Sequence, residues 1–86
     1  MKVLIPSALR SYTAGQMWVE AEGGDLGALL DDLERRYPGF RFRMLDEQAR
    51  IRRHIRVFAG GVQLAGPEAR LDEVTEVLIV QALSGG

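Results

Sequence analysis

Apolar and polar residues alternate along Met17-Trp18-Val19-Glu20-Ala21-Glu22, apart from Trp18. A period of two predicts a half-buried β-strand, with Met17, Val19 and Ala21 on one face and Trp18, Glu20 and Glu22 on the other. A few residues later the period changes. Leu26, Leu29, Leu30, Leu33 and Tyr37 recur at helical spacing and form one apolar stripe. Asp25 precedes that stripe where a helix N-cap belongs, because a short side-chain oxygen can accept from the free N–H groups of the first turn. Arg35 and Arg36 fall in the last turn, where positive charge suits the helix dipole. Pro38-Gly39 stops the helix. Asp31, Asp32 and Glu34 lie off the stripe and read as a solvated face rather than as paired catalytic carboxylates.

The remaining strands follow from shorter signals. Residues 2–5 are an apolar run after Lys2 and predict a first strand, and the spacing to residues 17–22 suits a hairpin with a long, loose loop. Pro6-Ser7 and Thr13-Ala14-Gly15 mark that loop. Gly23-Gly24 ends the hairpin. Phe40, Phe42, Met44, Leu45 and Ile51 are apolar anchors among arginines, which suggests a short helical turn over 41–46 and an excursion through 46–49. Residues 55–59 predict a third strand, Gly60-Gly61 a turn, and 62–64 a short edge strand that Ala65-Gly66-Pro67 breaks. Residues 71–74 suggest a single turn. Residues 76–82 predict a last strand apolar on both faces, as a central strand should be.

One amphipathic helix must bury its leucines on one face of a sheet. Two apolar strands at the ends of the chain, with a hairpin first, predict that those two run side by side at the sheet centre. The expected class is therefore α+β, a β-grasp or ubiquitin-like roll. A mixed sheet of four to five strands packs on one main helix, with a domain over 1–82 and a flexible tail over 83–86.

Composition narrows the chemistry. The sequence has 86 residues, 47% hydrophobic and 27% charged. That is one domain with one modest core and no enclosed cavity of any size. The formal charge of −1 argues against a dedicated nucleic-acid binder. The lack of cysteine excludes disulfides, thiolate catalysis and cysteine-ligated metal. One histidine cannot build a metal site alone, so His54 is not read as a catalytic or metal residue. No run approaches the ~20 apolar residues of a membrane span, and Val3-Leu4-Ile5 is too short for a signal peptide. These features predict a soluble, cytoplasmic protein with no bound cofactor and no catalytic residues of its own.

The remaining candidate chemistry is at the end of the sequence. The apolar run Val77-Leu78-Ile79-Val80 leads to Leu83-Ser84-Gly85-Gly86. Glycine lacks a Cβ and fits a passage too narrow for side chains. The terminal carboxylate of Gly86 is read as the reactive group, with Gly85 and Ser84 as its tail. A frayed glycine-rich end is the plain alternative.

The chain resembles the ubiquitin-like sulfur carriers, which include the molybdopterin synthase small subunit and the thiamine-pathway and cysteine-synthase carriers. The resemblance covers nearly the whole chain. It rests on Val3-Leu4-Ile5-Pro6 with Leu9-Arg10, on residues 24–34, on Arg36-Tyr37-Pro38-Gly39, on Leu45-Asp46-Glu47, on Ile55-Arg56-Val57-Phe58 and on Gly85-Gly86. The chain departs from the family at Val74-Thr75 and at Ala82-Leu83-Ser84. The resemblance implies that an E1-like adenylating enzyme uses ATP to convert Gly86 to an acyl-adenylate. A sulfur donor would then leave a thiocarboxylate, and a downstream synthase would accept the sulfur in cofactor or cysteine biosynthesis. Two other classes stay open: a ubiquitin-like modifier joined to lysines through Gly86, and an interaction module with no tail chemistry.

Trp18, Phe58, Leu78 and Val80 are expected on the sheet face away from the helix. They read either as a second small core under residues 40–53 or as an apolar docking patch for the activating enzyme. Arg50, Arg52, Arg53, Arg56 and His54 form a basic cluster, read first as solvated surface and second as a partner site.

Overall fold

The computed structural model describes residues 1–82. The expected tail, with Ser84, Gly85 and Gly86, lies outside the described residues. Five strands form one mixed sheet: β1 (Lys2–Leu4), β2 (Trp18–Glu20), β3 (Ile55–Ala59), β4 (Val62–Gln63) and β5 (Glu76–Gln81). Their order is β2-β1-β5-β3-β4. Strands β1 and β5 pair in parallel, Val3 opposite Val77, and the other pairs are antiparallel. The first and last strands do run side by side, and β5 is the central strand. This is the β-grasp roll that the order of elements predicts.

Helix α1 (Leu26–Arg36) lies where the stripe predicts. The Asp25 carboxylate caps it by accepting from the Ala28 N–H at 2.8 Å. Tyr37 ends it in a non-helical conformation, φ −134° and ψ 82°, because a following proline disfavours the helical region. Gly39 then takes φ 97°, which favours glycine. Gly23 is glycine for another reason: a Cβ there would sit 2.3 Å from the Leu29 backbone nitrogen. The chain can pass the helix only at a residue without a side chain.

The inner face of the sheet and the helix share one core. Leu26, Leu29, Leu30 and Leu33 are fully buried, with Val3, Ile5, Val57, Val77 and Ile79 against them. Helix α2 (Phe40–Met44) and the next residue add Phe40, Met44 and Leu45 to the same cluster.

Several local expectations are corrected. The connection from β1 to β2 is not a loose loop: Ser7–Thr13 is a 3₁₀ helix. It is pinned by buried Leu9 and by Thr13, whose hydroxyl donates to the Gln16 carbonyl at 2.9 Å. Strand β2 begins at Trp18, so Met17 misses the buried face and is 48% exposed. Phe42 is exposed rather than an anchor; the Arg52 guanidinium lies 4.6 Å from its ring centre. Asp32 is buried, not solvated. It accepts from the Glu22 N–H at 2.9 Å and pairs with Arg35 and Arg36. Glu34 is half-buried and accepts from the N–H groups of Gly39 and Arg41. These two carboxylates hold backbone donors at the joints around α1.

Two tests follow from this packing. Leu30→Ala should cost about 2–5 kcal/mol in a denaturant melt, a large part of the stability of so small a domain. A loss under ~1 kcal/mol would mean that the buried face is misassigned. The second test concerns acid. The Glu22 N–H bond, then Arg35 and Arg36, lower the Asp32 pKa from 3.8 to about 2. A depressed carboxylate pKa gives stability that is present above its unfolded value and is lost as pH falls through the folded one. Wild-type stability should therefore fall between pH 3.8 and about 2. Asp32→Asn should be less stable at neutral pH and should lose less over that range. Parallel declines in both proteins would rule Asp32 out as the titrating group.

Candidate functional site

Side chains alternate across a strand, so a sheet that gives one face to the helix turns the other outward. On β5, Val77 and Ile79 point into the core while Leu78 and Val80 point away. The register then assembles a row across the whole outer face. Trp18 lies opposite Leu4, Leu4 opposite Leu78, Leu78 opposite Phe58, and Phe58 opposite Gln63. Val80 sits one step further along β5, opposite Arg56.

Trp18, Phe58, Leu78 and Val80 are thus brought together, as the sequence predicts. Leu4 completes the row and was not expected there. Its position inside the apolar run Val3-Leu4-Ile5 gave no sign of which way it points, and only the pairing of β1 with β2 and β5 settles it. None of the five belongs to the core cluster. Trp18 is 37% and Val80 43% exposed, while Leu4, Phe58 and Leu78 are half-buried by their neighbours. Lys2 lies 5.0 Å from the centre of the Trp18 ring and shields one of its faces.

The alternative of a second small core fails on direction. Phe40, Met44 and Leu45, the anchors that could have covered this face, pack into the main core on the opposite side of the sheet. Among the described residues the outer face therefore has no cover.

The edges of this face differ in charge. Toward the start of β5 lie Glu20, Lys2 and Glu76, one register step from the apolar row. Toward its end lie Arg56 and the residues that lead into β3. The final backbone bond of the described chain is there: the Ala82 N–H donates to the His54 carbonyl at 2.7 Å. Ala82, the last described residue, therefore lies beside His54.

The described residues offer little chemistry of their own. They hold no group of three or more His, Asp or Glu side chains able to ligate a metal. None of their helices is long and apolar enough to cross a membrane. The carboxylates with lowered pKa values serve structure: Asp46 accepts from the N–H groups of Arg50 and Gln48, and Asp72 pairs with Arg70. The arrangement is thus an uncovered apolar row on the outer face of the sheet, with Ala82, the last described residue, beside His54 at one end of it.

Comparison with known proteins agrees. The chain is 32% identical over 89 aligned positions to the sulfur carrier protein CysO of Mycobacterium tuberculosis, covering 98% of this chain and 96% of that protein. The chain belongs to the sulfur carrier protein family. A chain of the Amycolatopsis orientalis BexX/CysO complex has the same fold, with a TM-score of 0.87 and 32% identity over 99% of this chain and 98% of that one. The small archaeal modifier protein 1 of Methanosarcina acetivorans is a more distant likeness, with a TM-score of 0.74 and 26% identity over 99% and 94% of the two chains. No family model matches the chain. The carrier family is thus the one that the sequence resemblance names, and its fold is the one observed.

The outer face also has a structural test. Trp18→Gln and Phe58→Gln should keep the far-ultraviolet circular dichroism of the wild type and lose no more than about 1 kcal/mol in a urea melt. Val57→Gln, one residue away but pointing inward, should unfold the domain or cost several times more, because it buries an amide without partners. Equal losses at positions 57 and 58 would contradict the assignment of faces.

Proposed function

We propose that this sulfur carrier acts by presenting the carboxylate of Gly86 to partner enzymes, and that it catalyses no step itself. The support is the match to sulfur carriers over nearly the full length of both chains. That match falls on a domain whose described residues carry an uncovered apolar row and no group of three or more potential metal ligands.

The chemistry follows from the carboxylate. With a pKa of ~3.5 it is ionised at neutral pH and resists attack by sulfur nucleophiles. An E1-like enzyme would let a carboxylate oxygen attack the α-phosphorus of ATP, expelling pyrophosphate and forming the acyl-adenylate. The outer sulfur of a persulfide would then form a C–S bond as the C–O bond to AMP breaks. A thiol would reduce the resulting disulfide link and free the thiocarboxylate. A downstream synthase would take the sulfur, and cysteine biosynthesis is the pathway class that the CysO likeness favours. Trp18, Phe58, Leu78 and Val80, joined by Leu4, would dock the adenylating enzyme. Gly85 and Gly86 would pass into its active site through a narrow passage that tolerates no Cβ, with Ser84 at its entrance. The protein would work in the cytoplasm, where ATP and the partner enzymes are available.

A second reading has its own observation. The fold is also that of a small archaeal modifier protein, so conjugation of Gly86 to a lysine is the alternative. Conjugates in host cells would favour the modifier, and a thiocarboxylate on the isolated protein would favour the carrier.

Deleting Gly86 tests the main reading. The deletion withdraws the carboxylate by ~3.5 Å, more than the tolerance within which reacting atoms must be held. ATP–pyrophosphate exchange with the host's adenylating enzyme should be lost, and mass spectrometry should find no sulfur in place of oxygen. Stability should stay at the wild-type value. Trp18→Gln should weaken exchange without abolishing it. Activation of the shortened protein at the wild-type rate would rule out Gly86 as the reactive residue.

A further inference from the structure

The arginines divide into two sets. Arg35 and Arg36 pair with Asp32, Arg41 with Asp31, Arg50 with Asp46 and Arg70 with Asp72. Arg10, Arg43, Arg52, Arg53 and Arg56 have no carboxylate within 4.0 Å among the described residues. Where this second set makes hydrogen bonds, the acceptors are neutral. Arg10 Nε donates to the Ile5 carbonyl at 2.9 Å, Arg43 Nε to the Tyr12 hydroxyl at 2.6 Å and Arg52 Nε to the Phe42 carbonyl at 2.7 Å. Arg56 donates to the Arg53 carbonyl at 2.6 Å. Among the described residues these five therefore form no ion pair, yet most of their side chains are tethered.

All five lie at one end of the molecule. Arg52, Arg53 and His54 run directly into β3, and Ala82 bonds back to His54. Arg56 flanks Val80. Arg43 and Arg52 line a groove with His54 and Gln81. Arg10 is anchored on Ile5 just past the end of β1, and β1 runs parallel to β5. The five form a collar at the end of β5, near Ala82, the last described residue. The opposite end carries Glu73 and Glu76, with Glu20 next to the Met1 amine. The sequence has a formal charge of −1, but the unpaired arginines and these glutamates lie at opposite ends of β5.

We propose that this collar docks onto an acidic rim around the mouth of the partner channel that receives residues 83–86. The proposal rests on the carrier reading and adds the chemistry of the partner surface. Tethering Arg10, Arg43 and Arg52 through Nε leaves their Nη groups to meet carboxylates, which guanidinium groups bind in a two-pronged fashion, and Arg56, tethered through one Nη, keeps its other Nη and its Nε. Separated charge also orients the approach, so that the end bearing the reactive carboxylate arrives first. The apolar row supplies affinity and the collar supplies orientation. Nucleic acid fits less well, because the acidic end and the net negative charge oppose a phosphate backbone. A second copy of the chain, meeting the collar with its own acidic end, is the competing occupant.

The test is the Michaelis constant for the carrier in ATP–pyrophosphate exchange, measured from ~50 mM to ~500 mM salt, a range over which screening shortens severalfold. Arg53→Gln/Arg56→Gln should raise KM about tenfold at low salt and less than about twofold at high salt, with kcat unchanged, since exposed charges act on encounter and are screened. Arg70→Gln, at the other end, should match the wild type. The intact protein must first show exchange that depends on Gly86; if it does not, the carrier reading itself has failed. If it does, while KM ignores both salt and the double substitution, the acidic rim is refuted and the carrier reading stands. Salt-sensitive self-association abolished by the double substitution, with KM unchanged, would assign the collar to a second copy and also refute the proposal.

Discussion

Strand β5 is hydrogen-bonded along both edges, to β1 on one side and β3 on the other, and it is apolar on both faces. The rest of the molecule depends on that double use. Its inward residues, Val77 and Ile79, close the core under the helix. Its outward residues, Leu78 and Val80, carry the exposed row. Its end places Ala82, the last described residue, beside His54. A shift of one residue in its pairing would exchange the two faces and expose Val77 and Ile79 in place of Leu78 and Val80. The core and the outer face are therefore specified together by one register.

The carboxylates around the helix show a second economy. A domain this small has many joints, and each leaves backbone donors without strand or helix partners. Asp25, Asp32, Glu34 and Asp46 accept from those donors at the start of α1, at the residues before it, at the turn into α2 and in the loop after α2. Lowered pKa values at three of them, Asp32, Glu34 and Asp46, accompany this use. A perturbed carboxylate commonly signals catalysis, but here the first cause at each of the three is a backbone N–H donor of the fold.

Carboxylates consumed in this way cannot neutralise arginines elsewhere. Asp31, Asp32, Asp46 and Asp72 hold the arginines near the helix and the loops. The arginines beside the end of β5 are left with carbonyl and hydroxyl acceptors. Charge separation thus arises from where the acids are placed as much as from where the bases are.

The sequence by itself determined the elements whose causes are local. The helix and its cap need only the leucine spacing, Asp25 and Pro38. The central position of the last strand follows from four apolar residues in succession. The outward set Trp18, Phe58, Leu78 and Val80 follows from alternation within each strand. Other features were not legible because their causes lie far apart in the chain. Leu4 joins the outer row only through partners on β2 and β5. Asp32 is buried only because the chain before the helix passes over it and offers the Glu22 N–H. The absence of a second core was decided by α2, whose Phe40 and Met44 turn toward the helix side. The separation of paired from unpaired arginines was decided last, by folding. Charge contacts form across turns and between elements, and no spacing along the sequence records which carboxylate each guanidinium will meet.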